Sequence, residues 1–378
     1  MTSEQRRLAR YKRRQEKRQR NKNKIAINCD NFDKVFPICK IYAAYKKCIL
    51  GVCWKSSVQT YKANAIYNVY LTYKELHNGT FKSDGFFEFP LYERGKIRII
   101  KSVTIHERVV QRCLCDNALT PMLSRQLIYD NGASSKGKGY TFAINRLLTH
   151  LRRHHKKYGD NGYILLFDFS KFFDNLEHAL LKDILSKTFT DERILKLAFH
   201  FIDMFGDKGI GLGSQISQNL ALISANRLDH YIKEVLRIKG YGRYMDDGYL
   251  IHESKEYLQK CLIDIKSICD EMGFKLNLNK TRIVKLSKGF TYLKIKFLLT
   301  PTGKIIKRIF PKSVVRMRRK LKKFKHFTDI GKMSIFDVQQ SLQSWLSHTL
   351  TLNAFRTRIS MLQLYYKLFG GKNVLQNC

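Results

Sequence analysis

Apolar positions along the chain follow two rhythms, and the places where one gives way to the other outline the fold. From Ala221 to Ile238, the residues Leu222, Ala225, Leu228, Ile232 and Val235 recur every three or four positions, which predicts a helix. Helical spacing also marks 57–70, 145–158, where many positions are basic, and 177–185. Tyr163-Ile-Leu-Leu-Phe-Asp-Phe169 is different: a short, continuously apolar run after the turn-like Gly159-Asp-Asn-Gly162, which predicts a buried strand ending at Asp168. Within 240–251 two apolar stretches meet at Asp246 and Asp247, as in a hairpin. After the turn signal Thr300-Pro-Thr-Gly303, Pro311 opens a helix with Val314, Met317, Leu321 and Phe324 on one face and Arg316, Arg318, Arg319, Lys320, Lys322 and Lys323 around the rest. Ser334 and Asp337 form a capping-box pattern ahead of Ile335, Val338, Leu342, Trp345 and Leu346, and Asn353 is placed to cap a third helix ending near Gly370-Gly371. Helices behind a small antiparallel sheet give an α+β fold.

Charge changes the picture. Seventy Lys and Arg stand against 31 Asp and Glu, for a formal net charge of +39. That balance is the electrostatic footprint of a nucleic-acid binder. A basic membrane-surface protein would need an amphipathic anchor or a long apolar span, and no run approaches about 18 apolar residues. Residues 1–24 hold eleven Lys or Arg, two Glu and almost nothing apolar. They read as a disordered arm that neutralises phosphates, and they lack the apolar segment of a secretory leader. Without the arm's +9 the remainder still carries +30, so salt-sensitive binding is expected from arm and body together. The nine cysteines are odd in number and include no Cys-x-x-Cys pair, which favours reduced thiols in a cytoplasmic protein over zinc or disulfides. Gly132-Ala-Ser-Ser-Lys-Gly-Lys-Gly139 nearly spells a phosphate loop, but Gly139 stands where a Mg²⁺-binding hydroxyl belongs, so nucleotide hydrolysis is excluded there.

In so basic a chain, adjacent acids at a tight turn make sense if a cation sits between them and an anionic partner. Asp168 is the natural third member. Two hard cations about 3.5–4 Å apart can hold the attacking and leaving oxygens of a phosphoryl displacement, and Mg²⁺ takes oxygen ligands of this kind. Nucleotidyl transfer is the leading chemistry.

These residues resemble the reverse transcriptases, in order from about Lys96 to the C-terminus. Tyr244-Met245-Asp246-Asp247 resembles their catalytic box, and Asp168-Phe-Ser-Lys-Phe-Phe-Asp174 their first palm box. The resemblance implies a right-hand polymerase: an N-terminal extension and fingers over 25–160, a palm over 161–300 and a three-helix thumb over 301–378. It implies two Mg²⁺ ions, with Mn²⁺ as an alternative, held by Asp168, Asp246, Asp247 and the backbone carbonyl of Phe169. Lys96 and Arg98 would meet the incoming dNTP with Leu212, Gly213 and Gln218, and Phe173 would block a ribose 2′-hydroxyl. Lys280, in Gly273-Phe-Lys-Leu-Asn-Leu-Asn-Lys280-Thr281, would approach the leaving pyrophosphate as a general acid. Tyr244, Met245, Arg316, Arg319, Lys320 and Lys323 would contact the primer-template duplex. Phe290-Thr-Tyr-Leu-Lys-Ile-Lys-Phe297 is similar to the last palm box but has Lys294 where Gly is usual.

One box narrows the likeness. Most reverse transcriptases carry Gln-Gly-x-x-x-Ser-Pro, whereas this chain has Leu212-Gly213-Ser-Gln-Ile-Ser217-Gln218, followed by Ala225-Asn-Arg-Leu-Asp-His230. Both features resemble the branch of diversity-generating retroelements, whose enzymes copy a template RNA into cDNA, misincorporate opposite adenines and work with a small basic accessory protein. Leu212 cannot make the polar contact that Gln would, so discrimination would rest on shape and stacking. An antiphage or group II intron-like enzyme is the alternative within the class, though an intron enzyme would be expected to continue past the thumb into a full set of maturase or nuclease regions. A non-catalytic RNA-binding scaffold is the alternative outside it.

Overall fold

The computed structural model describes residues 25–93 and 95–370, with residues 5, 6, 9, 12, 13 and 16. The rest of the basic arm lies outside the described residues, as does the side chain of Lys96.

After a short helical turn at Phe32–Val35 come helices α1 (Ile38–Cys48), α2 (Ser56–Ala63) and α3 (Ala65–His77). An antiparallel hairpin follows, β1 (Phe87–Glu93) with β2 (Lys96–Ser102), and then α4 (Ile105–Leu114) and the long α5 (Tyr140–Tyr158). At the centre, β3 (Tyr163–Asp168), β4 (Gly240–Tyr244), β5 (Asp247–His252) and β6 (Arg282–Lys285) form an antiparallel sheet in the order β4-β5-β3-β6. Between β3 and β4 lie α6 (His178–Thr188), α7 (Glu192–Asp203), α8 (Gln215–Ser224) and α9 (Asn226–His230); α10 (Lys255–Glu271) follows β5. A second sheet, β7 (Phe290–Tyr292), β8 (Ile295–Leu299) and β9 (Ile305–Ile309), leads to α11 (Pro311–Asp329), α12 (Ile335–Leu350) and α13 (Phe355–Phe369).

β3 shows why its sequence runs apolar without alternating. Leu165 and Phe167 enter the core shared with α4 and α6–α10, while Ile164 and Leu166 enter a second core with α5 and β7–β9. A strand covered on both faces has no polar side to present. The three C-terminal helices close around a third core that includes Met317, Leu321, Phe324, Val338, Leu342 and Leu346. The Ser334–Asp337 capping box forms in both directions.

Three local expectations are corrected. The helical rhythm over 57–70 is broken at Asn64, and that over 221–238 at Ala225, where the backbone leaves helical geometry. Periodicity records which face is buried and is blind to a kink that keeps that face in register. Asn353 does not cap α13: its Oδ1 accepts from the Lys307 N–H at 2.9 Å, and its own N–H donates to Lys307 O at 2.7 Å, so it ties the helix's approach to β9 instead.

Candidate active site at the palm hairpin

β3 ends where β5 begins, and the register pairs Asp168 directly with Asp247. Directly opposed residues on antiparallel strands have Cβ atoms about 4.5–5.5 Å apart, so the two carboxylates share one end of the sheet. Tyr244 pairs with Asp247 across β4–β5, which leaves Met245 and Asp246 as a two-residue turn. Met245 has φ of +53°, a left-handed conformation that hairpin turns require and non-glycine residues resist. The Phe169 N–H donates to Asp246 O at 3.3 Å, which fastens the turn to the end of β3. Three acids are thereby brought to one edge by register alone.

A strap from Gly273 to Thr281 runs beside the end of β3. Ser170 N–H donates to Lys275 O at 2.7 Å and Asn277 N–H to Asp168 O at 2.8 Å. This places the Lys280 ammonium 2.7 Å from Asp168 Oδ2, with the Asn277 amide 3.3 Å from Oδ1. Asp168 is nearly inaccessible, at 4% exposure. Burial, then the neighbouring Asp246 and Asp168, push the Asp247 carboxyl up to about 7, and burial with Asp168 also raises Asp246, against the pull of Lys280 and Arg98. Crowded, mutually repelling oxygen donors suit a hard divalent cation, whose charge would reverse that penalty. Among the described residues no three acids, histidines or cysteines already form a closed cage, and one Asp168 oxygen is engaged by Lys280. Asp168, Asp246 and Asp247 are the residues that could hold such an ion.

Beneath the turn lies a group that sequence reading passed over. Arg243, on β4, is fully buried and donates to Asp229 through Nε at 2.8 Å and Nη2 at 2.6 Å. The same guanidinium donates to Met245 O and Leu222 O, each at 2.9 Å, and the Tyr241 hydroxyl donates to Asp229 at 2.5 Å. One side chain therefore grips the strained turn residue and the end of α8, with its charge neutralised by an acid on α9. The signal was present in the sequence: an Arg inside an otherwise apolar strand, and an Asp at helical spacing from Ala225 and Ile232.

Residues 82–298, more than half of the chain, match the family described as reverse transcriptase (RNA-dependent DNA polymerase). The chain belongs to this family. Comparison with curated proteins gives no match. Among solved structures, it is similar to apo telomerase from Candida tropicalis, with 14% identity, a TM-score of 0.50 and coverage of 76% of this chain and 59% of that one. It also resembles that telomerase truncated from its C-terminal domain (15%, 0.46, covering 59% and 55%) and telomerase from Candida albicans in complex with a TWJ fragment of telomeric RNA (13%, 0.47, covering 76% and 62%). The chain thus spans less than two thirds of these telomerases, and at such identity the likeness is one of fold: a right-hand polymerase of helices and antiparallel sheets.

Around the three acids, the residues named from sequence fall into groups. Leu212 bridges Ile100 on β2, so the Leu212–Gly213 segment lies along the hairpin strand that begins at Lys96 and carries Arg98. Gly213 has φ of +112°, and a Cβ there would stand 3.3 Å from Ile100, which is reason enough for glycine. Phe173 packs edge-on against Phe172, and its carbonyl accepts from the Ile210 N–H at 2.9 Å, which holds the Leu212 segment next to the first palm box. Gly213 and Gln218 line a cleft of about 470 Å³ with Lys47, Lys101, Arg108 and Arg112. Ser134, from the loop that mimics a phosphate loop, joins it.

The thumb candidates divide. Arg316 and Lys320 line a cleft of about 860 Å³ with Lys294, Trp345 and His348, and Lys320 donates to Ser341 at 2.7 Å. Arg319 and Lys323 are exposed on α11 but do not line that cleft; the Lys323 ammonium lies 5.2 Å over the Phe327 ring. Tyr244 and Met245 are half-buried at the hairpin. Lys294 and Leu293, with φ of +63° and +45°, make the two-residue turn between β7 and β8, so the unusual lysine sits in a conformation that glycine adopts freely. All eight described cysteines are free, and no described helix is long and apolar enough to cross a membrane.

Proposed function

We propose that the chain is an active RNA-directed DNA polymerase that extends a primer on an RNA template from dNTPs. The observation that carries this reading is the direct pairing of Asp168 with Asp247 at the sheet edge that also presents Asp246. Two Mg²⁺ ions, or Mn²⁺ in their place, would be held by these carboxylates with the Phe169 carbonyl, and would supply a nucleophile of lowered pKa and charge stabilisation at the phosphoryl oxygens. Arg98 and Lys96 would bind the triphosphate, Phe173 would exclude a 2′-hydroxyl, and Lys280, held beside Asp168, would be available to protonate the leaving group. Residues 25–160 would serve as extension and fingers, 161–300 as palm and 301–378 as thumb.

Primer extension on RNA tests the reading. Asp168→Ala and Asp246→Ala should abolish synthesis while RNA affinity stays within several-fold. Synthesis that survives either substitution would remove these acids from the catalytic role, and its absence from the unaltered chain under Mg²⁺ and Mn²⁺ would leave a non-catalytic RNA-binding scaffold.

Within the family, the Leu212–Gln218 box and residues 225–230 support the diversity-generating retroelement branch, with a small basic accessory protein as partner. Sequencing of products should then show errors concentrated opposite template adenines. Uniform errors would favour an antiphage or intron-like role.

A further inference from the structure

The N-terminal helices carry a feature that the polymerase site does not use. Helices α1 and α3, with the α2–α3 corner, enclose an open groove of about 730 Å³ outside the family-matched residues. Tyr42, Tyr67, Tyr70 and Ile66 line it together with Lys62. Tyr67 is 61% exposed and Tyr70 43%, far more than packing would leave. The Lys46 ammonium lies 4.9 Å over the Tyr42 ring, and that of Lys74 lies 5.2 Å over Tyr70. No acid lines the groove, and the acids nearest in sequence are engaged elsewhere: Asp33 with Arg193 at 2.7 Å, and Glu75 with His106 at 3.0 Å.

Aromatic faces interleaved with lysines suit single-stranded nucleic acid, whose bases stack while its phosphates meet cations. The centres of protein interfaces are depleted in lysine, so a protein partner fits these residues less well. Position adds a second argument. Lys46 lies over the ring of Tyr42, which lines the groove, while its neighbour Lys47, with Cys48, lines the cleft beside Gly213 and Gln218. A strand leaving that cleft needs to cross only α1 to reach the tyrosines.

We propose that this groove binds the single-stranded template RNA ahead of the polymerase site, with bases stacked on Tyr42, Tyr67 and Tyr70 and phosphates held by Lys46, Lys62 and Lys74. The inference rests on the RNA-template reading above, and its test separates the two. The full chain and the triple variant Tyr42→Ala/Tyr67→Ala/Tyr70→Ala are compared on two primer-templates, one ending one nucleotide beyond the primer and one with a 20-nucleotide 5′ overhang. Affinity for a 12-nucleotide oligouridine containing 4-thiouridine is measured alongside, and its photocrosslinks are mapped.

The triple variant should extend the short template normally, which also shows that it folds. Its affinity for the oligouridine should fall at least about tenfold, as should its preference for the long overhang. A Tyr→Phe triple variant, which keeps the stacking faces, should behave as the unaltered chain does. Unchanged affinity and overhang preference in the Ala variant, or crosslinks confined to other segments, overturn the proposal. So does a tyrosine-dependent dimer of the chain whose loss leaves RNA affinity unchanged. If the unaltered chain extends neither template, the polymerase reading fails, while the crosslinks still report whether RNA occupies the groove.

Discussion

Asp229 is the residue whose removal tests most sharply how the active turn is held. Its carboxylate neutralises the fully buried Arg243, which in turn holds Met245 O at 2.9 Å in a turn where Met245 is left-handed. Asp229→Ala strands a guanidinium in the core. Breaking a buried pair from one side costs about 3–5 kcal/mol, a large share of the roughly 5–15 kcal/mol that stabilises a domain. Asp229→Leu with Arg243→Met removes both charges and should restore at least about half of the loss, because well-packed apolar residues replace buried pairs tolerably. It does not restore the donor to Met245 O. A displacement of the acids by about 1 Å can cost about 100-fold in rate, so single-turnover primer extension should remain at least that far below the unaltered chain. Denaturant unfolding and extension rates, read side by side, separate stability from positioning. A double variant that extends at full speed would show Arg243 to be mere packing, and Asp229→Ala within about 1 kcal/mol of the unaltered chain would refute the desolvation argument.

Other outcomes follow from the same geometry. Lys294→Gly should raise the unfolding free energy by about 0.5–1 kcal/mol, since the left-handed turn penalises a side chain by more than glycine's added freedom costs; a lower melting temperature would contradict this. Leu212→Gln should lower misincorporation opposite adenine while leaving polymerisation largely intact, and an unchanged error spectrum would remove Leu212 from that role. Phe173→Ala should admit ribonucleotides, so an unaltered dNTP preference excludes Phe173 as the gate. Asp247, raised to about 7 in the fold against about 3.9 when unfolded, is protonated natively at acid pH. Its contribution is complete below the unfolded value and is lost as pH rises through about 7. In chelator, the melting temperature should therefore fall from pH 6 to pH 8 by more than in Asp247→Asn, and Mg²⁺ should flatten the difference; identical slopes in the two proteins would count against the shift.

How much of this was legible beforehand depends on whether the information is local. β3 could be read because a strand buried on both faces must be apolar throughout, and a hairpin because two apolar stretches needed a reversal between them; the expected turn at Asp246–Asp247 falls one residue earlier, at Met245–Asp246, since Asp247 already pairs with Tyr244 and Asp168. The capping box of α12 is a four-residue signature and forms as read. Asn353 misled because a side chain that can cap a helix can equally well bond a passing strand, and β9 was not visible from its neighbours in sequence. The Arg243–Asp229 pair needed the fold itself: fourteen residues and a helix end separate the partners, and only packing α9 behind β4 turns two ordinary charges into a clamp. The same holds for Lys280, which reaches Asp168 across 112 residues because a strap of backbone hydrogen bonds runs beside β3. Sequence therefore discloses the acids that chemistry demands, whereas the groups that hold them in place come from topology. It is in those supporting groups that this chain differs least visibly, and most testably, from a scaffold that merely kept the shape.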